Sequence, residues 1–305
     1  LIARSCSALL GAATAAVVYS IGKQIQGRAI GLAAALFLAC SYEHVMHSHY
    51  CTVDAALTFM FTLGVYASLL LFRRADTAQY LRAGFIIGLA CAVKFNGVFA
   101  SVALLAAHFL RETPEPFVQR FFSKKLLIGL CSIIAGHFAG SPFFYVDLST
   151  ALRETAQLHA MHAAPSATLM LYVQHMAGSF WGIPLGLVCV LGLLHAAARG
   201  GRQMMVLCLT AAAVLLFASR YRYVEAKYIL CSFPLFAVFG AHTVMRCCSR
   251  LKPWAVLPVM VIVLSHPLWL IASWDAARAE KSISLQAREW IEATLPRGAK
   301  ILLDN

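Results

Sequence analysis

The stretch Ala83-Gly84-Phe85-Ile86-Ile87-Gly88-Leu89-Ala90-Cys91-Ala92-Val93-Lys94-Phe95-Asn96-Gly97, continued by apolar residues to Leu110, reads either as one membrane helix or as two. As one helix its roughly 28 residues would extend about 42 Å at 1.5 Å per residue, beyond a hydrocarbon core of about 30 Å. Lys94, Asn96 and Gly97 stand near its middle, where a charge and an Asn-Gly pair interrupt the apolar run. Loop cations separate the two readings. If the chain turns at Lys94, alternate loops carry 14 cations (Lys23, Arg28, Arg73, Arg74, Arg82, Arg111, Arg120, Lys124, Lys125, Arg199, Arg202, Arg246, Arg250, Lys252), and the others carry 5 (Lys94, Arg153, Arg220, Arg222, Lys227). If it crosses once, the same cations split almost evenly and orient nothing. The turn is therefore the better reading.

Outward from this stretch, apolar segments cover residues 5–21, 29–44, 55–72, 126–146, 178–198, 204–219, 228–245 and 254–273. With the two short helices around Lys94 the sequence predicts an all-α polytopic membrane protein of about ten membrane helices. Residues 1–273 form the multi-spanning domain, and residues 274–305 begin a soluble outer-side domain. Composition agrees: 61% of the residues are apolar, 12% are charged and the mean hydropathy is +0.75. A soluble domain averages about 45–50% apolar and about 25% charged. The net charge of +12 lies largely in short loops, where it sets membrane orientation, so no nucleic-acid partner is expected. The cation-poor loops at 43–54, around 94, at 147–177 and at 220–227 then face the outer side, with the tail after 274.

That tail carries Leu285, Trp290, Ile291 and Leu295 at helical spacing before Pro296-Arg297-Gly298, which predicts a short amphipathic helix. The chain starts at Leu1 without a methionine, and Ala299-Lys300-Ile301-Leu302-Leu303-Asp304 reads as the start of a buried strand. An internal piece of a longer protein is expected. Ten cysteines lie mostly inside apolar runs without a CxxC motif and read as small buried hydrophobes; acylation of the Cys247-Cys248 pair is the minor alternative.

Ionisable groups at membrane depth or at outer helix ends are costly and mark candidate sites. Glu43, His44, His47, His49 and Asp54 fall within twelve positions, a composition that suits a divalent metal without matching any defined spacing. For Asp54 the plain structural role is the cap of a helix beginning at Ala55. Lys94 has no counter-charge in its own turn and either lines a cavity or snorkels to the interface. Arg220, Arg222 and Lys227 alternate with Tyr221, Tyr223 and Tyr228, a set fit for a phosphate and a sugar ring or for the interfacial aromatic belt. The region 147–173, with Arg153, Glu154, His159 and His162, is long enough for a helix lying over the membrane as a lid or connector. His108, His137, His195 and His242 read as interior histidines.

Gly27-Arg28, His49-Tyr50-Cys51-Thr52-Val53-Asp54-Ala55, Ala92-Val93-Lys94-Phe95-Asn96-Gly97, Ser141-Pro142-Phe143 and Lys227-Tyr228-Ile229-Leu230 before Phe233-Pro234, taken in this order, resemble the C-type integral-membrane glycosyltransferases. The nearest branch is the bacterial relatives of protein O-mannosyltransferases and of the aminoarabinose transferase. The segment Ala287 to Ile291 through Gly298 is similar to the start of the outer-side domain in that branch.

The resemblance implies transfer of a sugar, with inversion, from a dolichyl- or polyprenyl-phosphate donor to a glycan, lipid or protein acceptor on the outer face. A mannosyl, other hexosyl or pentosyl group is implied, and bacterial inner membrane is the implied location. The family's catalytic base belongs to a loop that would precede Leu1, so no catalytic residue is expected in the chain. Asp54, Lys94, Arg222, Lys227, Tyr228 and His49 are the substrate-binding candidates, with the three cations for the carrier phosphate. No nucleotide is required and no cofactor is assigned; a divalent metal at His44, His47 and His49 is the open possibility. The competing classes are a membrane transporter or lipid flippase, whose broken helices also surround a polar site, and a non-catalytic envelope subunit.

Overall fold

In the computed structural model the described residues are 2–162, 168–249, 252–279, 283–296 and 298–299, and the side chains of His159 and His162 lie outside the description, as does Arg250. The elements are α1 (Ile2–Gln26), α2 (Arg28–Ala39), α3 (Tyr42–His49), α4 (Val53–Leu69), α5 (Thr77–Val93), α6 (Ala100–Leu110), α7 (Phe117–Phe121), α8 (Lys124–Gly140), α9 (Phe143–Val146), α10 (Leu148–His162), α11 (Thr168–Ala177), α12 (Ile183–Arg199), α13 (Arg202–Ala218), α14 (Ala226–Ile229), α15 (Phe233–Cys248), α16 (Val256–Ala279) and α17 (Ile283–Thr294). No extended strand occurs among the described residues. All ten cysteines are free thiols.

Five helical stretches among the described residues are long and apolar enough to cross a membrane: Ile2–Gln26, Val53–Phe72, Phe117–Gly140, Ala226–Cys248 and Val256–Ala279. α2 and α3 together make a sixth, bent by 60°. The remaining apolar segments, Thr77–Val93, Phe95–Leu110, Ile183–Arg199 and Arg202–Ala218, are shorter helices of 10–17 residues. Each of the ten expected segments is thus helical, while five meet the length of a full span unaided.

The chain reverses at Lys94. α5 ends at Val93, Lys94 is extended (φ −160°, ψ 140°), and a 3-10 turn over Phe95–Phe99 leads into α6. Tyr80, fourteen residues before Lys94, hydrogen-bonds through its hydroxyl with Nδ1 of His108, fourteen residues after it. Nearer the apex, Gly64 of α4 faces both Ile87 and Ala100. Such pairings equidistant from Lys94 require an antiparallel α5–α6 hairpin. Gly97 seats the turn: a Cβ there would lie 2.3 Å from the Ala90 backbone.

Once α6 has returned, α8 runs beside α5 in the same direction. Their seam is glycine-lined, since a Cβ on Gly84 would lie 2.0 Å from the Gly129 carbonyl oxygen and one on Gly88 would lie 2.1 Å from that of Ile133. Ser132 Oγ donates across it to the Leu81 carbonyl at 2.8 Å. In lipid, where apolar tails remove the hydrophobic drive, helices associate through this kind of small-residue contact and interhelical hydrogen bond.

Loop contacts fall at two ends of the bundle. At one end Gln24 Nε2 donates to the Leu69 carbonyl at 2.8 Å, Lys125 to the Ala75 carbonyl at 3.1 Å, and Arg202 pairs with Glu112 at 2.8 Å. This is the cation-rich set. At the other end the Glu43 amide donates to the Phe180 carbonyl at 3.2 Å, Asn96 to the Tyr228 carbonyl at 3.4 Å, and Tyr172 to the Tyr223 carbonyl at 3.4 Å. The alternation matches the cation count.

The region expected as one outer helix over 147–173 is α10 followed by α11. α16 continues past 273 to Ala279, and the amphipathic tail helix is α17. The strand expected at 299–304 lies outside the described residues except for Ala299.

Candidate functional site

At the cation-poor end, three helix termini bring a line of charge together. α4 begins with Thr52 as its extended N-cap, so Asp54 stands in the first turn and not at the cap expected for it. Its carboxylate instead holds Lys94: Nζ donates to Oδ1 at 2.8 Å, with side-chain exposures of 27% for Lys94 and 8% for Asp54. Lys94 therefore neither snorkels nor lacks a counter-charge; the partner lies 40 positions earlier. Each charge also suits its backbone, since an acid is favoured in the first turn of a helix and a cation at a C-terminus.

The other carboxylate oxygen, Oδ2, is 3.9 Å from His47 Nδ1, and His47 Nε2 is 3.5 Å from Glu43 Oε2 one turn earlier on α3. Glu43 Oε2 and His47 Nδ1 are buried without a hydrogen-bond partner. Glu43, His47, Asp54 and Lys94 thus form a row of alternating carboxylates and nitrogen bases. The segment 221–228, which runs into α14, lies next to this row. Lys227 pairs with Glu225 at 2.5 Å, lies 5.3 Å from the centroid of the Tyr228 ring and falls within the electrostatic reach of Asp54. The Tyr221 and Tyr228 rings are 4.5 Å apart, and burial pushes the Tyr221 phenol above its ordinary pKa, keeping it a neutral hydroxyl. Asn96 is buried and ties the Lys94 turn to this loop.

Of the six substrate-binding candidates the fold brings four together: Asp54, Lys94, Lys227 and Tyr228. Arg222 is exposed and stacks on Tyr223 at 5.9 Å. His49 turns away: its Nδ1 bonds the Val45 carbonyl at 2.8 Å and its ring packs on Trp274 at 5.3 Å. There it lines a neighbouring cavity of about 380 Å³ with Tyr50, Trp274 and Arg278. Arg278 stacks on Trp274 at 4.4 Å and on Tyr50 at 4.9 Å. Sequence reasoning missed Asn96, the His47 link to Asp54 and this aromatic clamp. The i,i+4 spacings Glu43–His47 and Trp274–Arg278 were the signals available.

The three clustered histidines diverge, because His44 Nε2 faces the Gly11 carbonyl at 3.2 Å while His47 and His49 point as described. Among the described residues no three His, Cys, Asp or Glu side chains are grouped closely enough to hold a metal ion. The separate histidines each have a local polar partner: His108 with Tyr80, His137 with Tyr145, His195 with Thr243 and His242 with Gln26.

Residues 1–137 match the family model described as dolichyl-phosphate-mannose-protein mannosyltransferase. No curated protein matches the chain. Among solved structures it is similar to ArnT from Cupriavidus metallidurans in the apo state, with 16% identity, a TM-score of 0.60, and coverage of 85% of this chain and 47% of that one. The same enzyme bound to undecaprenyl phosphate gives 17% identity, a TM-score of 0.58 and coverages of 86% and 49%. The Archaeoglobus fulgidus oligosaccharyltransferase in complex with Zn and sulfate gives 17% identity, a TM-score of 0.55 and coverages of 97% and 44%. The chain spans about half the length of these proteins. In sequence over residues 1–137, and in fold over most of its length, the chain resembles the C-type integral-membrane glycosyltransferases.

Proposed function

We propose that this chain is the membrane portion of a glycosyltransferase that moves a sugar from a polyprenyl-phosphate carrier to an acceptor at the end of the bundle bearing Asp54 and Lys94. The observation that carries the reading is the buried Asp54–Lys94 pair at facing helix termini, with Lys227 beside it. A bare ion pair in an apolar bundle costs desolvation and needs a functional reason. In an inverting transfer an acceptor hydroxyl oxygen attacks the anomeric carbon as its proton passes to a general base, the bond from that carbon to the phosphate oxygen breaks, and the carrier leaves as its phosphate. The negative charge developing on that phosphate needs cations. Lys94, aimed by Asp54, and Lys227 supply them from two sides, and Tyr228 and Tyr221 offer ring faces for the sugar. Asp54 is engaged by Lys94 and is not assigned as the base that takes the acceptor's proton.

The cation count supports an outer-face position for this end, and the branch resembled favours a bacterial inner membrane; a hexose or pentose donor and a glycan, lipid or protein acceptor complete the proposal. Full-length protein supplied with polyprenyl-phosphate hexose or pentose and a membrane extract as acceptor should release polyprenyl phosphate and glycosylate the extract. Lys94→Ala should lower that rate by about 10²–10³, the cost of deleting one charge-stabilising donor. Donor left intact with every sugar tried would overturn the proposal, and translocation of the donor without transfer would favour the flippase class.

A further inference from the structure

At the cation-rich end, on the opposite side of the bundle from Asp54, Phe109, Leu110, Arg111, Glu112, Thr113, Arg120 and Arg202 line a cavity of about 360 Å³. Arg120 is locked in place by backbone acceptors, donating through Nη1 to the Phe109 carbonyl at 2.8 Å, through Nε to that of Glu115 at 3.2 Å and through Nη2 to that of Thr113 at 3.4 Å. Among the described residues it forms no ion pair, so its charge is held in place without neutralisation. Arg111 is mostly buried, with Nε lacking a hydrogen-bond partner, and pairs through Nη2 with the half-exposed Glu115 at 3.9 Å. Among the described residues Arg202 pairs with Glu112, whose side chain is 86% exposed, and an exposed pair is readily exchanged for a better one.

Three guanidiniums therefore surround the cavity against two solvent-facing carboxylates, Glu112 and Glu115. A second, independent observation lies on the adjoining helix. α7 carries Arg120 and also exposes Phe117, Val118 and Phe121, followed by Phe122, which is 83% exposed. Phe109 of the cavity wall packs on Phe121 at 4.6 Å and on Phe117 at 5.6 Å, so the basic cavity and the apolar patch are one continuous surface.

From this juxtaposition we infer that the α6–α8 connection is a binding site for an anionic phospholipid of the cation-facing leaflet. The lipid phosphate is held by Arg111 and Arg202, with Arg120, whose donors go to the Phe109, Arg111, Thr113 and Glu115 carbonyls, adding its fixed charge beside them. The acyl chains lie along Phe121, Phe122 and the exposed Leu127 of α8. A free phosphate would use the arginines alone, whereas a lipid would use both the arginines and the aromatic patch at the start of the Phe117–Gly140 span. Guanidinium forks match phosphate oxygens, and basic pockets on the cytoplasmic side of membrane helices are suited to such headgroups.

The test is native mass spectrometry of the full-length protein after exposure to equimolar phosphatidylglycerol and phosphatidylcholine. The wild-type protein should retain phosphatidylglycerol preferentially. Arg202→Gln should reduce that retention about fivefold, the share of one basic residue at an anionic surface. Glu112→Gln, which removes the competing carboxylate, should hold or raise it. Arg120→Gln also removes carbonyl contacts and is read only alongside a thermal-unfolding control. Equal retention of the two lipids, wild-type retention by Arg202→Gln, or complete displacement of the lipid by inorganic phosphate at matched concentration would each overturn the inference.

Discussion

Asp54 and Lys94 illustrate how a pair can matter more than either member. Asp54 is buried and Lys94 partly exposed, so removing Lys94 strands a buried carboxylate while removing Asp54 leaves a partly solvated cation. Lys94→Ala should cost about 3–5 kcal/mol of stability and Asp54→Ala less, and the double variant should cost clearly less than their sum. Thermal unfolding of the four proteins in one detergent measures this, and simple additivity would show that the pair is not coupled. Lys227 behaves differently because its side chain is 40% exposed. Lys227→Ala should change stability by no more than about 1 kcal/mol. Its transfer rate should fall by about 10²-fold if it meets the carrier phosphate. That split between stability and rate separates a ligand-facing cation from a structural one. Asp54 and Lys94 were each visible in the sequence as charges out of place, but their pairing was not. Forty residues separate them, and no local pattern encodes a contact between the start of one helix and the end of another.

At the scale of elements, the Lys94 hairpin was legible because orientation charges are a count over the whole chain and do not depend on contacts. Its mechanism was less so. The turn closes because Gly97 lies against the Ala90 backbone, and Gly97→Val should force the apex open, costing about 3 kcal/mol or more through overpacking and displacing Lys94 from Asp54. Loss of transfer together with lowered thermal stability would be the expected result; an unaltered melting temperature would contradict the packing. The α5–α8 seam is the companion case. Gly88→Leu should separate the two helices by removing the close backbone approach. The Asp54 cap expectation failed for a related reason. A first-turn acid and a cap occupy neighbouring positions, and the choice was made by a tertiary partner, Lys94.

For the whole molecule, the two-ended sorting of the loops makes a topological prediction. In a cysteine-free background, single cysteines placed near residues 112 and 203 should be shielded from an impermeant maleimide added outside, and those near residues 148 and 223 should label. The reverse pattern would invert the bundle and remove the outer-face assignment of the site. The sequence by itself determined that the chain is a helical membrane protein, that it turns back at Lys94 and how its loops alternate, since apolar length and charge placement are summed over local segments; the break between α2 and α3 inside the segment 29–44 was not legible in it. Tertiary structure decided which polar groups meet. It chose Asp54 for Lys94, turned His49 toward Trp274, split the histidine cluster and set Arg120 beside an apolar patch. The physical reason is that a buried charge must find a partner in space, and the partner is selected by how glycine-lined helices pack, a property of the assembled bundle.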